Sequence, residues 1–121
     1  MGDASKINEL YKELFQCKRE KIYYERLVEN LTSSASNINN SINSIENIRK
    51  TVNDSYQINS SDAQLSIRLN NLDINVKNKL NDINSKYIPE ANNKIQELGQ
   101  KISKLEDDIE NAYKEFYSQG V

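Results

Sequence analysis

Residues 95–109 read IQELGQKISKLEDDI, and apolar side chains recur through this stretch at alternating steps of three and four residues. They are Ile95, Leu98, Ile102, Leu105 and Ile109. A repeat with an average step of 3.5 residues places all of them on one face of an α-helix and is typical of a coiled coil. The stretch therefore predicts a helix that buries one narrow apolar stripe against another helix.

The same spacing extends outward into two arrays that cover most of the chain. The first array consists of Ile7, Leu10, Leu14, Cys17, Lys21, Tyr24, Val28, Leu31, Ala35, Ile38, Ile42, Ile45, Arg49, Val52 and Tyr56. The second consists of Leu65, Leu69, Leu72, Val76, Leu80, Ile83, Tyr87, Ala91, Ile95, Leu98, Ile102, Leu105, Ile109, Ala112 and Phe116. Two such arrays predict an all-α protein, a long antiparallel helical hairpin in the form of a two-helix coiled coil.

The polar run from Asn59 to Asp62 lies between the arrays and favours a turn, because short polar side chains bond nearby backbone groups. We expect a single domain over residues 1–121, with helix one at about 4–57, the turn at about 58–63 and helix two at about 64–118. Tyr56 should then pack near Leu65, and Leu10 near Ala112 or Phe116.

Two features interrupt the arrays. Lys21 and Arg49 occupy stripe positions in the first, and each has an isoleucine beside it in the chain. In the second, the steps from Ile83 to Ile95 are all of four residues, and Pro89 lies within them. A proline inside a helix removes one backbone donor and presses on the preceding turn. We therefore predict a kink or a brief break at Tyr87 to Pro89.

Composition limits the function classes. The 121 residues carry a net charge of -2 and are 36% hydrophobic, and their Lys and Arg residues are interleaved with Asp and Glu. No basic patch indicates nucleic-acid binding, and no apolar run approaches the ~20 residues that span a bilayer. The amino terminus does not resemble a signal peptide. We expect a cytoplasmic protein without membrane insertion, and export together with a partner is the alternative that the sequence leaves open.

Nothing in the sequence predicts catalysis. The chain has no histidine and no phosphate-binding loop, nucleophile elbow or metal-ligand spacing. Glu106, Asp107, Asp108 and Glu110 are interpreted as a solvated helix face, and Cys17 as a small buried hydrophobic residue. We expect no enzymatic activity, no cofactor and no metal site.

Apolar residues outside the stripes are the candidate functional residues. In helix one Tyr11, Phe15 and Ile22 share a second face, and in helix two Ile67, Ile74 and Ile88 are spaced by multiples of seven. One interpretation is that they widen the first seam, as in many globular helices. The interpretation we favour is that these six residues bind a partner, since a two-helix hairpin can bury only one seam.

Three stretches resemble a known group of proteins. They are INELYKEL at 7–14 leading into CKREK, VNDSYQIN at 52–59, and IQELGQKISKLEDDI at 95–109. The chain resembles the small helical proteins associated with LXG-domain toxins, within the WXG/ESX-like set of type VII secretion and nearest to the YwqH-like family. The chain lacks a Trp-x-Gly at the central turn and a Tyr-x-x-x-Asp/Glu export signal.

The resemblance implies a non-enzymatic chaperone or targeting factor. Its partner would be the N-terminal helical region of an LXG-type toxin, with a second small helical protein as a further possible partner. Because the export signal is missing, such a factor would depend on a partner that has one. The alternative is a structural coiled-coil scaffold or tether that self-associates into a homo-oligomer. A gene neighbour that encodes an LXG toxin would favour the first hypothesis, and a stable homo-oligomer without other partners the second.

Overall fold

The computed structural model describes the backbone of residues 4–53 and 60–119, and the side chains of 4–52 and 64–118. Three α-helices are present, α1 (Ala4–Asn53), α2 (Ser60–Asp82) and α3 (Ile88–Gln119). A single π-helical turn, Ile83–Tyr87, joins α2 to α3 without a break. The described residues contain no strand. The two long helical arms pack together, which confirms the predicted all-α helical hairpin.

Backbone contacts divide the chain into two compact units. The terminal unit comprises residues 1–28 and 90–121, and the central unit comprises residues 29–89. In the terminal unit, Leu14 of α1 packs with Leu105 and Ile109 of α3. In the central unit, Arg49 of α1 pairs with Asp73 of α2. Each unit therefore contains its own seam between the two arms.

The seam of α1 follows the predicted heptads. Every predicted position from Ile7 to Val52 is buried or half-buried. Lys21 and Arg49 keep their places in the seam, and the adjacent Ile22 and Ile48 are exposed. Regular packing therefore decides which side chain faces the seam, even where the neighbouring residue in the chain is more hydrophobic.

The seam of the second arm differs from the prediction at several positions. Leu65, Leu72, Tyr87 and Phe116 were predicted to lie on the stripe, and all four are exposed. The seam is formed by the buried and half-buried residues Ser66, Leu69, Asp73, Val76, Leu80, Ile83, Ile88, Ala91, Ile95, Leu98, Ile102, Leu105, Ile109 and Ala112, and Gly99 and Asp108 beside it are also half-buried. Steps of three and four alternate strictly along this seam except for one step of five residues between Ile83 and Ile88. To keep that alternation, Ser66 lies in the seam instead of Leu65, and Asp73 instead of Leu72.

The step of five coincides with the π-helical turn. The backbone N–H of Ile88 donates to the carbonyl of Ile83, five residues earlier. Such a turn adds one residue to a helix. Pro89 follows directly, where its missing N–H and its ring would disturb an α-helical turn. Of the predicted kink or break, the break is absent, because the helix continues through a π turn just before the proline, and the kink stays a prediction.

The boundaries of the second helix also need correction. The helix begins at Ser60, so residues 60–63 of the predicted turn at 58–63 are helical. The predicted end of helix one at about 57 and the packing of Tyr56 near Leu65 depend on residues outside those described. Leu10 and Ala112 line the same shallow cavity, as the hairpin predicts. The assignment of residues 1–121 to a single domain stays a prediction.

Among the described helices, none combines the length and the hydropathy that crossing a membrane requires.

Candidate partner-binding surface

Apolar side chains fill most of the seam of the terminal unit, in which Lys21 of α1 also lies. Leu14, Leu105 and Ile109 are buried together at its centre. Leu10, Tyr11, Cys17 and Ile102 pack against them and are half-buried. Cys17 was interpreted as a small buried hydrophobic residue; it is half-buried in the seam and lines an open groove of about 510 Å³. Charged residues of both helices line the groove together with Leu10 and Leu105, so its walls are mixed in polarity.

An aromatic surface lies beside this seam. The Tyr11 ring stacks on Phe15 with a centroid distance of 6.0 Å and meets the edge of Tyr113 at 6.4 Å. Tyr113 in turn stacks on Tyr117 at 6.2 Å. Phe116 meets the edge of Tyr117 at 5.6 Å. These five residues form one connected set, which we name the aromatic patch, and it joins α1 to α3.

Most of the aromatic patch faces solvent. Phe15 is 55% exposed and Tyr117 is 67% exposed, and Tyr113 and Phe116 are also exposed. Phe15 directly follows the buried Leu14, so its side chain leaves the seam on one flank. Tyr113 and Tyr117 are four residues apart and therefore share one face of α3. The patch thus offers apolar surface from two helices side by side.

The side chains of Tyr11 and Tyr113 interact across the two arms within the patch. Hydrogen bonding with the Tyr11 side chain raises the pKa of Tyr113 above its ordinary value of 10.0. Partial desolvation of the Tyr113 hydroxyl acts in the same direction. Ring contacts and this interaction together give the patch its shape in the free chain.

The six residues predicted to bind a partner have different surroundings. Tyr11 and Phe15 belong to the aromatic patch, and Ile22 is exposed elsewhere in the terminal unit. Ile67 and Ile74 are exposed on α2 in the central unit. Ile88 is half-buried in the seam, because the π turn moves it out of the column that Ile67 and Ile74 share. Its predicted place outside the stripe is therefore wrong, and partner binding by the six residues stays a prediction.

Sequence reasoning missed three members of the patch. Phe116 was assigned to the stripe, and Tyr113 and Tyr117 were not among the candidate residues. Their spacing of four residues next to the stripe position Ala112 was the available signal, since it places both rings on one flank of the seam.

The central unit contains a polar layer in its seam. Asp73 is only 4% exposed. Its Oδ2 accepts from Arg49 Nη1 at 3.2 Å and from Lys77 Nζ at 2.9 Å. Lys77 also lies 3.4 Å from Glu46 Oε1. The hydrogen bond to Asp73 raises the pKa of Lys77 above its ordinary value of 10.5, with Glu46 contributing in the same direction.

The second carboxylate oxygen of Asp73 is buried and accepts no hydrogen bond from any described protein group. A buried acceptor without a partner costs about 1–3 kcal/mol. The polar layer of Glu46, Arg49, Asp73 and Lys77 is therefore not the most stable filling that this part of the seam could have.

The described residues bring no three acidic, cysteine or histidine side chains together in a group that could hold a metal ion. Comparison with protein-family models, curated proteins and solved structures finds no match to this chain.

Proposed function

We propose that this protein is a non-enzymatic helical binding partner that uses the aromatic patch to bind a helix of another protein. In the specific form of this proposal, the bound helix belongs to the N-terminal region of an LXG-type toxin, and the protein acts as its chaperone or targeting factor for type VII secretion. The observation that carries the proposal is the exposure of connected aromatic rings on two adjacent helices.

Aromatic residues support binding because they combine a large apolar area with little conformational freedom. Tyr and Phe are enriched at protein interfaces, and a large apolar side chain contributes about 1.5–3 kcal/mol when it becomes fully buried. Tyrosine also keeps a hydroxyl group for a hydrogen bond at the rim of an interface. Phe15 and Tyr117, the most exposed rings of the patch, have the most area left to bury.

The shape of the patch favours a helical partner. Tyr11 of α1 contacts Tyr113 of α3, so the patch lies along the line where the two helices meet. A third helix in this position would contact both arms through apolar residues at steps of three and four, the common way in which an amphipathic helix occupies a groove. The choice of an LXG-type toxin rests on the resemblance of the three sequence stretches alone.

Co-purification with the N-terminal helical region of an LXG-type toxin tests the proposal. We expect the double variant Phe15→Asp with Tyr117→Asp to retain its helix content but to lose the complex, because two anchors would be replaced by charges. Tyr23→Asp is the matched control, since Tyr23 is 62% exposed and its ring contacts Tyr24, which lies outside the patch. The control should bind like the wild type.

The result separates the proposal from its alternative. Equal binding by the double variant and the control would remove the patch as the interface. A wild-type protein that binds no such region and instead forms a homo-oligomer, which the double variant dissociates, would support the self-associating scaffold. A second pair, Ile67→Asp with Ile74→Asp, tests the exposed column of the central unit in the same assay.

A further inference from the structure

In a heptad seam, apolar residues alone do not determine how far along its partner each helix lies. If one helix slides along the other by seven residues, about 10 Å, every stripe position again faces a stripe position. In a hairpin, such a slide requires the connecting turn to move by only a few residues. Something in the seam must therefore make one alignment more stable than the others.

The polar layer of the central unit has the properties needed for this selection. Arg49 and Asp73 both occupy seam positions, and their side chains meet at 3.2 Å. Each is the only fully charged residue on its own arm's seam within the described part of the central unit. The observed alignment is thus the one that brings the two opposite charges to the same level.

We propose that the Arg49–Asp73 pair fixes the register of the two arms in the central unit. In an alignment shifted by seven residues, Asp73 would lie at the level of Ile42 and Arg49 at the level of Ser66. Asp73 would then lie among apolar side chains without Arg49, with Lys77 of its own helix as its remaining ion-pair partner, and separating the two members of a buried ion pair is strongly unfavourable. Shifted alignments are disfavoured for this reason.

The unsatisfied oxygen of Asp73 supports the same inference. The layer is retained although the second carboxylate oxygen lacks a donor among the described groups. A leucine pair would fill the seam without this cost, since replacing a buried ion pair by apolar residues is often neutral or stabilising. A role in selecting one alignment, as known for single polar residues in coiled-coil seams, accounts for a layer that stability alone does not require.

Distances between two spin labels can measure the alignment directly. Labels are placed on the full chain at Asn47→Cys and Asn78→Cys, both exposed positions of the central unit, with Cys17→Ser to remove the natural thiol. With Arg49 and Asp73 intact we expect one narrow distance distribution. With Arg49→Leu and Asp73→Leu together we expect full helicity but a second distance population, produced by the shifted alignment.

Two control variants separate the effect of the ion pair from other changes in the seam. Ile45→Leu with Val76→Leu changes the same seam without altering the polar layer and should retain the single distance. Arg49→Asn with Asp73→Asn keeps a polar, hydrogen-bonding layer without charge and should also retain it. A single unchanged distance in the leucine pair would overturn the proposal. A loss of helicity in the leucine pair would overturn it as well, because the layer would then be needed for stability.

Discussion

The terminal unit and the central unit share the same heptad spacing but fill their seams differently. The terminal unit buries Leu14, Leu105 and Ile109 together, whereas the central unit buries Asp73 against Arg49. The two units also differ on their surfaces, because the terminal unit exposes a connected set of aromatic rings. Spacing thus decides which positions face the seam, and the side chains at those positions decide whether a seam supplies stability or selectivity.

The middle of α1 shows that packing in the seam can outweigh the helix propensity of the residues. Residues 30–45 contain no charged side chain and are rich in Asn and Ser, which have weak helix propensity. They are nevertheless helical, and Ser41 and Ser44 donate to the carbonyls four residues earlier, at 3.1 and 3.2 Å. Local propensity is therefore overridden by the seam, where Ile42 and Ile45 are buried.

The largest effect should follow from a charge in the apolar seam. Leu105→Asp places a carboxylate beside Leu14 and Ile109 with no cation in the cluster, and we expect the free energy of unfolding to fall by about 4 kcal/mol or more. Denaturant unfolding measures the change. Asn40→Asp, at an exposed position of α1, is the control and should change stability by less than ~0.5 kcal/mol. Similar losses in both variants would show that the assigned seam is wrong.

The next effect concerns the π turn near the end of the central unit. Deleting Asn84, an exposed residue within the turn, would shorten the five-residue step between Ile83 and Ile88 to four and restore regular alternation. With Pro89 retained, the proline would then lie inside a continuous α-helix. The same deletion combined with Pro89→Ala should be about 3 kcal/mol more stable than the deletion alone, since that is the usual cost of an internal proline.

Thermal and denaturant unfolding of both deletion variants test this expectation. Pro89→Ala without the deletion is the matched control, because it removes the ring but leaves the extra residue. If the two deletion variants prove equally stable, the π turn does not serve to accommodate the proline.

A smaller effect is expected from the polar layer. Arg49→Leu leaves Asp73 with Lys77 as its remaining ion-pair partner and should cost about 2 kcal/mol, below the usual range for a broken buried pair because Arg49 itself is 33% exposed. Adding Asp73→Leu to this variant should restore most of the loss. Arg68→Leu, which changes an exposed arginine of α2, is the control. A neutral Arg49→Leu would contradict an energetic role for the pair.

The sequence predicted the helical hairpin and the seam of α1 because packing and periodicity agree there. It failed on the second arm, where choosing the most hydrophobic residue selected Leu65 and Leu72 over the seam residues Ser66 and Asp73. Strict alternation of steps, together with the unpaired Arg49 in the first array, would have indicated Asp73. The step pattern could not locate the π turn. One extra residue in the helix can be read equally well as several consecutive steps of four residues, as was done from Ile83 to Ile95.

The candidate site was predicted only in part. Tyr11 and Phe15 were identified because they lie off the stripe, but their contacts with α3 depend on how the two arms are aligned. Periodicity within one helix carries no information about the residues opposite. The tyrosines of α3 therefore became part of the site only when the two arms were brought together.

The smallest effect is the ionisation of Tyr113. Its pKa lies above 10.0 in the folded protein because of the bond to Tyr11, so the folded state holds this proton more firmly than the unfolded state does. The resulting stabilisation is complete below about pH 10. It is lost as the pH rises through the raised pKa of Tyr113. Lys77 in the central unit loses its contribution in the same direction, starting from its ordinary value of 10.5.

Nuclear magnetic resonance of the Tyr113 ring during an alkaline titration measures its pKa directly. Tyr11→Phe removes the hydroxyl partner but keeps the stacked ring, so the pKa of Tyr113 should fall towards 10.0. Tyr23→Phe is the matched control, because Tyr23 contacts Tyr24 and not Tyr113, and it should leave the titration of Tyr113 unchanged. An identical titration of Tyr113 in wild type and Tyr11→Phe would show that the two hydroxyls do not hold the aromatic patch together. The pre-formed shape of the patch would then depend on ring packing alone.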